Sequence, residues 1–301
     1  MRKLTALIIT LAFLSSYAAN LPKKNDLARE GLKGKVKSVR TIGYLVIEAD
    51  GEIEKGEPIP FMYVEYNDKG NRLEEKLSSP DRWHRIIYIY DDNGNKIEEK
   101  KSDSTGNILN NVIYTYNKKG NQIEKSGYKL GKYNSNNIYT YNNKGYLIKE
   151  GVYEKYREFY SEIIYTYDKK GRVIEKSHYG FDKEFEMYLL LKYIYTYNKK
   201  GNRIEEKEYN TSNEKLTAKN TFTYNKKGNI VEEKSYSWDN KYGMLLIYRY
   251  IYTYDKKGNR IEMKRYLEYY HSIEQFEQFS IQSSKEKSKL NYIEEFEIEY
   301  Y

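Results

Sequence analysis

Ile251-Tyr252-Thr253-Tyr254-Asp255-Lys256-Lys257-Gly258-Asn259-Arg260-Ile261-Glu262 decides how this chain is read. Its pattern, Tyr-x-Tyr-(Asn/Asp)-x-x-Gly-x-x-(Ile/Leu/Val), recurs with substitutions eight times. The turn glycines are Gly70, Gly94, Gly120, Gly145, Gly171, Gly201, Gly228 and Gly258, spaced 24 to 30 residues apart. A fixed period in that range marks a repeat architecture. Asx, two unrestricted residues and Gly spell a type I turn closed in the left-handed region, where a Cβ costs energy and glycine does not. Each copy reads as a β-hairpin with a three-residue loop, Asp255 standing opposite Asn259.

Extending that turn by strict alternation places Tyr254 across from Arg260 and Tyr252 across from Glu262. On the other face Thr253 meets Ile261 and Ile251 meets Met263. This register predicts an aliphatic face for the dry interior and a wetter tyrosine face, since a phenol has an apolar body and a polar tip. Glu98-Glu99-Lys100, Glu205-Glu206-Lys207 and Glu232-Glu233-Lys234 then form cross-strand pairs contributing about 0.2–1 kcal/mol each. Eight units make sixteen strands, a sheet of roughly 75 Å at ~4.8 Å per strand. Open sheets that wide curl, split or close. The expected fold is all-β: a long curled antiparallel sheet of about eight tandem β-hairpins, either an open shell or a rolled, barrel-like body.

The flanks organise around residues 61–266, which hold the repeats. Residues 1–18 read as a secretory signal: Arg2 and Lys3, an apolar run from Leu4 to Leu14, and Ser16-Tyr17-Ala18 as a small-x-small cleavage site. The run is too short for an ordinary membrane span, no later stretch approaches one, and no Cys near the cleavage site supports a lipid anchor. Residues 19–60 read as a leader with capping strands. Asp26 to Leu32 suggests one helical turn, Gly34 to Arg40 and Leu45 to Ile47 suggest strands, Asp50-Gly51 a turn, and Pro58 and Pro60 a connection. Residues 267–301 read as a C-terminal cap, with a short helix or long loop over His271 to Ser283 and a last strand over Phe296 to Tyr300. The turns between units are poorly written, as at Asp103-Ser104-Thr105-Gly106, Thr211-Ser212-Asn213-Glu214 and Trp238-Asp239-Asn240-Lys241, and account for the uneven period.

Composition narrows the function classes. Of 301 residues, 39% are hydrophobic, 32% charged and 37 are Tyr. Tyr and Ile recurring at period 2 exclude the disorder that such charge would otherwise suggest. Cys is absent, so the fold holds without disulfides and offers no thiolate nucleophile or metal ligand. The formal charge of +8 falls to about +6 once Arg2 and Lys3 are removed, a mild bias that does not indicate nucleic acid.

The units resemble the YD repeats of the Rhs family. The Tyr-Asp dipeptide stands at Tyr90-Asp91, Tyr167-Asp168 and Tyr254-Asp255, with Asn in place of Asp at Tyr116-Asn117 and Tyr224-Asn225. The resemblance covers roughly residues 61–266. It implies a β-shell fold; large members build hollow shells that enclose toxins, or adhesion modules on cell surfaces. This chain is too short for a closed chamber and shows no toxin domain, so it looks like the short, secreted YD-repeat proteins of diderm bacteria.

Two surfaces emerge as candidate sites. The Tyr ladder (Tyr114, Tyr116, Tyr139, Tyr141, Tyr165, Tyr167, Tyr195, Tyr197, Tyr252 and Tyr254) could stack sugar rings in repeated subsites; the blander reading, that Tyr suits a pleated half-buried surface, carries more weight. Lys118, Lys119, Lys169, Lys170, Lys199, Lys200, Lys226, Lys227, Lys256 and Lys257 fall on one sheet edge and could meet acidic polymers, but Lys at a turn tip also simply solubilises and discourages association. For catalysis there is little: His84, His178 and His271 lie far apart, no metal-ligand spacing or nucleophile elbow appears, and Glu98-Glu99 alternate across the strand. The expectation is a non-enzymatic secreted binding or structural module of the periplasm or cell surface, without cofactor, metal or nucleic acid. Its expected partner is carbohydrate or another envelope component; the alternative is a protein partner, as a component or antagonist of a contact-dependent toxin system.

Overall fold

The computed structural model describes residues 25–49, 52–79, 82–154, 159–181, 186–210, 215–240, 242–268 and 289–301. The signal-like segment 1–18, the turn signals at 50–51 and 211–214, and the helix or loop expected over 271–283 lie outside them.

One short helix, α1 (Asp26–Arg29), precedes eighteen strands. These are β1 (Val36–Ala49), β2 (Glu52–Tyr66), β3 (Arg72–Ser79), β4 (Arg82–Tyr90), β5 (Lys96–Ser102), β6 (Ile108–Tyr116), β7 (Gln122–Lys129), β8 (Lys132–Tyr141), β9 (Leu147–Glu154), β10 (Phe159–Tyr167), β11 (Val173–Phe181), β12 (Met187–Tyr197), β13 (Arg203–Asn210), β14 (Lys215–Tyr224), β15 (Ile230–Asp239), β16 (Gly243–Tyr254), β17 (Arg260–Leu267) and β18 (Lys289–Tyr300). Every strand pairs antiparallel with its neighbours in the chain, and β18 pairs back onto β1. The expected curled sheet is a closed up-and-down barrel. The expectation of about eight hairpins is corrected: the Asx-Gly hairpins span β2 to β17, and β1 and β18, outside the repeats, complete the ring. Closure removes the two edges that an open sheet would expose to other chains. The segments expected as separate strands at Gly34–Arg40 and Leu45–Ile47 belong to one strand, β1, and Pro58 and Pro60 lie within β2 beside irregularities in the β1–β2 ladder, not in a connection.

All eight Asx-Gly turns fall on one rim, because alternate turns of an up-and-down barrel share an end. Asp255 N–H donates to Asn259 C=O at 2.9 Å, and Gly258 N–H to Asp255 C=O at 3.0 Å, as the turn chemistry predicts. The eight glycines have φ between 71° and 89°. At Gly171 a Cβ would also meet the Tyr146 hydroxyl at 2.3 Å. On the opposite rim Asp103 to Asn107 forms a turn with the same two backbone bonds, both 3.1 Å, better made than its sequence suggested. The β7–β8 hairpin turns through Leu130 (φ 48°) and Gly131 (φ 74°), a tight turn with a leucine in the left-handed region.

The register departs from strict alternation. Tyr254 does face Arg260, but Thr253 then faces Glu262 and Tyr252 faces Met263, leaving Ile261 as an extra residue. The same slip occurs at Leu73, Ile97, Ile123, Ile148, Ile174, Ile204 and Val231. The aliphatic residue of the motif is therefore a β-bulge, which bends and twists its strand. Bulges at regular intervals supply the curvature that closes a sheet.

The bulge also inverts the expected faces. Tyr66, Tyr88, Tyr114, Tyr165, Phe222 and Met263 are buried, whereas Ile113, Ile138, Leu73 and Ile261 are exposed. The concave wall of a barrel crowds its side chains and the convex wall splays them. The tyrosines line the inside and the aliphatic residues stand outside, opposite to the expectation of an aliphatic interior. Outside, Lys76, Lys100, Lys207, Lys234 and Lys264 each pair with the Glu two residues earlier in their own strand, at 2.7–3.4 Å. These pairs run along a strand, not across strands as the unbulged register implied. A continuous apolar cluster occurs at the closure, where Leu27, Val36, Val39, Val64 and Tyr66 pack with Leu32, Met62, Phe296, Ile298 and Tyr300.

Candidate functional site

The inner wall carries two tiers of aromatic residues. The second Tyr of each motif sits at the last ladder pair before the turn. Its ring crosses to the previous hairpin, and its hydroxyl donates to the carbonyl of that hairpin's first residue after the turn. Tyr116 reaches Lys96 C=O (2.7 Å), Tyr141 reaches Gln122 (2.7 Å), Tyr167 Leu147 (2.7 Å), Tyr197 Val173 (2.6 Å), Tyr224 Arg203 (2.6 Å) and Tyr254 Ile230 (2.6 Å). Where α1 lies against the wall, carboxylates replace carbonyls: Tyr90 donates to Asp26 at 2.6 Å and Tyr66 to Glu30. The repeat spacing thus becomes a collar of tyrosines, each stitched to the unit before it.

The deeper tier is the first aromatic of the motif, two residues back on the same face. Its partner is a carboxylate that the bulge turns inward. Tyr88 donates to Glu75 at 2.8 Å, Tyr252 to Glu233 at 2.9 Å and Tyr165 to Glu150 at 3.4 Å, and Tyr114 bonds Glu99. Cations lie against these rings. Lys96 Nζ is 5.4 Å from the Tyr88 centroid and 4.8 Å from that of Tyr114, Arg203 is 5.2 Å from both Tyr195 and Phe222, and Arg260 is 4.2 Å from Tyr252. Such contacts contribute about 0.5–2 kcal/mol, more where water is excluded.

Burial sets the protonation states. It pushes the phenols of Tyr88, Tyr114, Tyr195 and Tyr252 far above their ordinary value, and those of Tyr116 and Tyr167 up to about 12, with neighbouring carboxylates reinforcing the shift in the deeper tier. The inner wall therefore presents neutral phenols. Burial also raises the carboxyl of Glu233 against the pull of its Tyr252 hydrogen bond, Arg260 and Arg203, and pushes Glu294 up to about 7 against Arg260. Partial burial and the neighbouring Lys176 push half-buried His178 down to about 4.

The ten tyrosines singled out from the sequence all belong to this wall, but they play two parts. Tyr116, Tyr141, Tyr167, Tyr197 and Tyr254 form the collar; Tyr114, Tyr139, Tyr165, Tyr195 and Tyr252 form the deeper tier. Tyr114 and Tyr165 are buried, and the other eight are half-buried. The inward carboxylates were missed: in Glu98-Glu99, Glu205-Glu206 and Glu232-Glu233 the second Glu faces the tyrosines and the first faces out. Counting the bulge residue would have found them. His84 on β4 and His178 on β11 are far apart along the ring, and no group of three His, Cys, Asp or Glu suited to a metal occurs among the described residues. The wall can hold neutral hydroxyls, aromatic faces and paired charges against a ligand.

No family model matches the chain, and no curated protein matches it. Among solved structures, a porin-like protein from Bacteroides uniformis is similar over 88% of this chain and 98% of its own, with 10% identity and a TM-score of 0.44. A protein of unknown function from Bacteroides fragilis covers 43% of this chain and 91% of its own (14% identity, TM-score 0.31). TcdB2-TccC3-TEV is similar over 70% of this chain, which spans 14% of that much longer one (13% identity, TM-score 0.30).

Proposed function

We propose that this chain is a secreted, non-enzymatic barrel of YD-like β-hairpin repeats in the periplasm or at the cell surface, and that its inner wall binds carbohydrate. The observation that carries the reading is the repeated inner-wall unit: a half-buried neutral phenol beside a carboxylate and a cation, as at Tyr195, Glu206 and Arg203. Sugar rings present apolar C–H faces and hydroxyls that both donate and accept. A ring face with flanking charged acceptors and donors matches that pattern, and tandem units offer tandem subsites. The signal-like start at residues 1–18 supports an envelope location. The outer wall supports a body standing in water: Glu205–Lys207, Glu232–Lys234 and Glu262–Lys264 lie where a membrane barrel carries its apolar band.

The test is a glycan array with the purified chain, followed by titration of the strongest binder while tyrosine fluorescence is recorded. Saturable binding that falls about three- to tenfold in each of Tyr139→Ala and Tyr195→Ala supports the reading, a lost stacking face being worth roughly 0.5–1.5 kcal/mol. Absence of any glycan signal, with a native envelope protein co-purifying instead, would replace it with a protein partner.

A further inference from the structure

Closure changes the meaning of the turn lysines. The eight Asx-Gly turns, each counted from its Asx to the residue after its Gly, hold thirteen basic and five acidic side chains. Their net +8 equals the formal charge of the whole chain, so everything else sums to zero. The positive bias that looked mild when spread over 301 residues sits entirely on one rim. Lysines elsewhere are largely neutralised in place, as in the Glu–Lys pairs of the outer wall. Lys118, Lys119, Lys169, Lys170, Lys199 and Lys200, by contrast, are exposed, and none of the ion pairs among the described residues uses them.

Neighbouring Asx-Gly turns are two strands apart, about 10 Å. That is close to the screening length of about 8 Å at physiological ionic strength, so the fields of successive lysine pairs overlap. The turns share one backbone hydrogen-bond pattern and project equally beyond their first ladder pair. Beyond the Asp68–Lys69 and Asp92–Asn93 tips of the β2–β3 and β4–β5 turns, lysine-bearing tips without an acidic residue run from the β6–β7 turn round to the β16–β17 turn, twelve of the eighteen strands. Their two central positions hold only Lys and Asn, with no aromatic residue among them.

We propose that this rim docks end-on against an anionic lipid surface. A plane meets all of the tips at once, whereas a single polymer chain can follow only part of the arc. Sites that grip one chain also add stacking faces, which these central positions lack. The rim has no apolar side chain at its tips to insert, so the barrel rests on the headgroups, held by charge alone. This docking uses a different surface from the sugar-binding inner wall and stands or falls separately from it.

The test is co-sedimentation of the full chain with vesicles of phosphatidylglycerol mixed into phosphatidylcholine, and with pure phosphatidylcholine vesicles, across a salt series. Binding to the anionic vesicles only, weakening steeply with salt, is expected. Replacing Lys118, Lys119, Lys169, Lys170, Lys199 and Lys200 with Ser is expected to cut it at least about a hundredfold, given ~1 kcal/mol per lysine near such a surface. Circular dichroism should be unchanged in that variant, because the central turn positions are free of the ladder. The control Lys207→Ser with Lys234→Ser removes charge from the outer wall and should leave binding within about twofold. Equal binding to neutral vesicles, no binding at low salt, or an equal loss in the control would overturn the proposal. Retention by soluble heparin without vesicle binding would also overturn it, and would assign the rim to an acidic polymer.

Discussion

The closure of the barrel and its repeated wall are held by different forces. In the wall from β5 to β17, one tyrosine hydroxyl per unit bonds a backbone carbonyl, and charges pair along single strands or between neighbouring ones. At the closure, β18, β1 and β2 pack an apolar cluster under α1, and polar groups there belong to a few residues with several partners each. Asn259 is almost wholly buried; its side chain donates to Lys33 C=O (2.9 Å) and the Tyr300 hydroxyl (2.7 Å) and accepts from Lys33 N–H (2.6 Å). Arg72 bonds Glu30 and Glu75, each at 2.6 Å; burial opposes its charge, and Glu30 holds its proton firmly all the same. Each stitch of the wall has like neighbours in the units beside it. The closure has no second copy.

The sharpest test of that difference is to remove one arginine from each region. Arg72→Met leaves Glu30 and Glu75 buried without their cation and is expected to cost about 3–5 kcal/mol in denaturant unfolding. Arg203→Met removes a more exposed ion pair with Glu206 and should cost under about 1.5 kcal/mol. Equal losses would show that the closure is no more concentrated than the wall.

The closure should also respond to pH. Glu294 on β18 faces Met263, lies near Arg260, and has its carboxyl pushed by burial from 4.5 to about 7. An acid whose folded value lies above its unfolded value adds stability below about pH 4.5 that is lost as pH rises through about 7. The barrel should therefore lose up to about 3 kcal/mol from this group between pH 5 and pH 8. Glu294→Gln should flatten that part of the pH profile, and an unchanged profile would refute the assignment.

Smaller effects grade the stitches themselves. Tyr254→Phe should cost about 1 kcal/mol, the net value of one hydroxyl-to-carbonyl bond, while Tyr66→Phe, which strips a donor from buried Glu30, should cost about 1–3 kcal/mol. Matching losses at the two sites would erase the distinction between wall and closure. Smallest, Leu130→Asn at the exposed β7–β8 turn should gain about 0.5–1 kcal/mol by relieving the left-handed leucine.

The hairpins were legible because turn chemistry is local. Asp255, Gly258 and Asn259 name their own partners, and the same phrase repeats. The faces were misread for an equally local reason: alternation alone gives no sign that Ile261 is an extra residue, and one bulge swaps every partner beyond it. The tyrosines were found but their carboxylate partners were not, because Glu99, Glu206 and Glu233 turn inward only after that swap. The lysines were placed on an edge, yet their charge looked diluted until the edge became a ring.

Period, turn type and the sixteen repeat strands follow from short-range chemistry, since each rests on residues within one hairpin. Whether β18 finds β1, and so whether the turn charges gather on one closed rim, depends on contacts between residues hundreds of positions apart, such as Lys33 with Asn259. Those contacts exist only once bulge-driven curvature brings the two ends of the ring together.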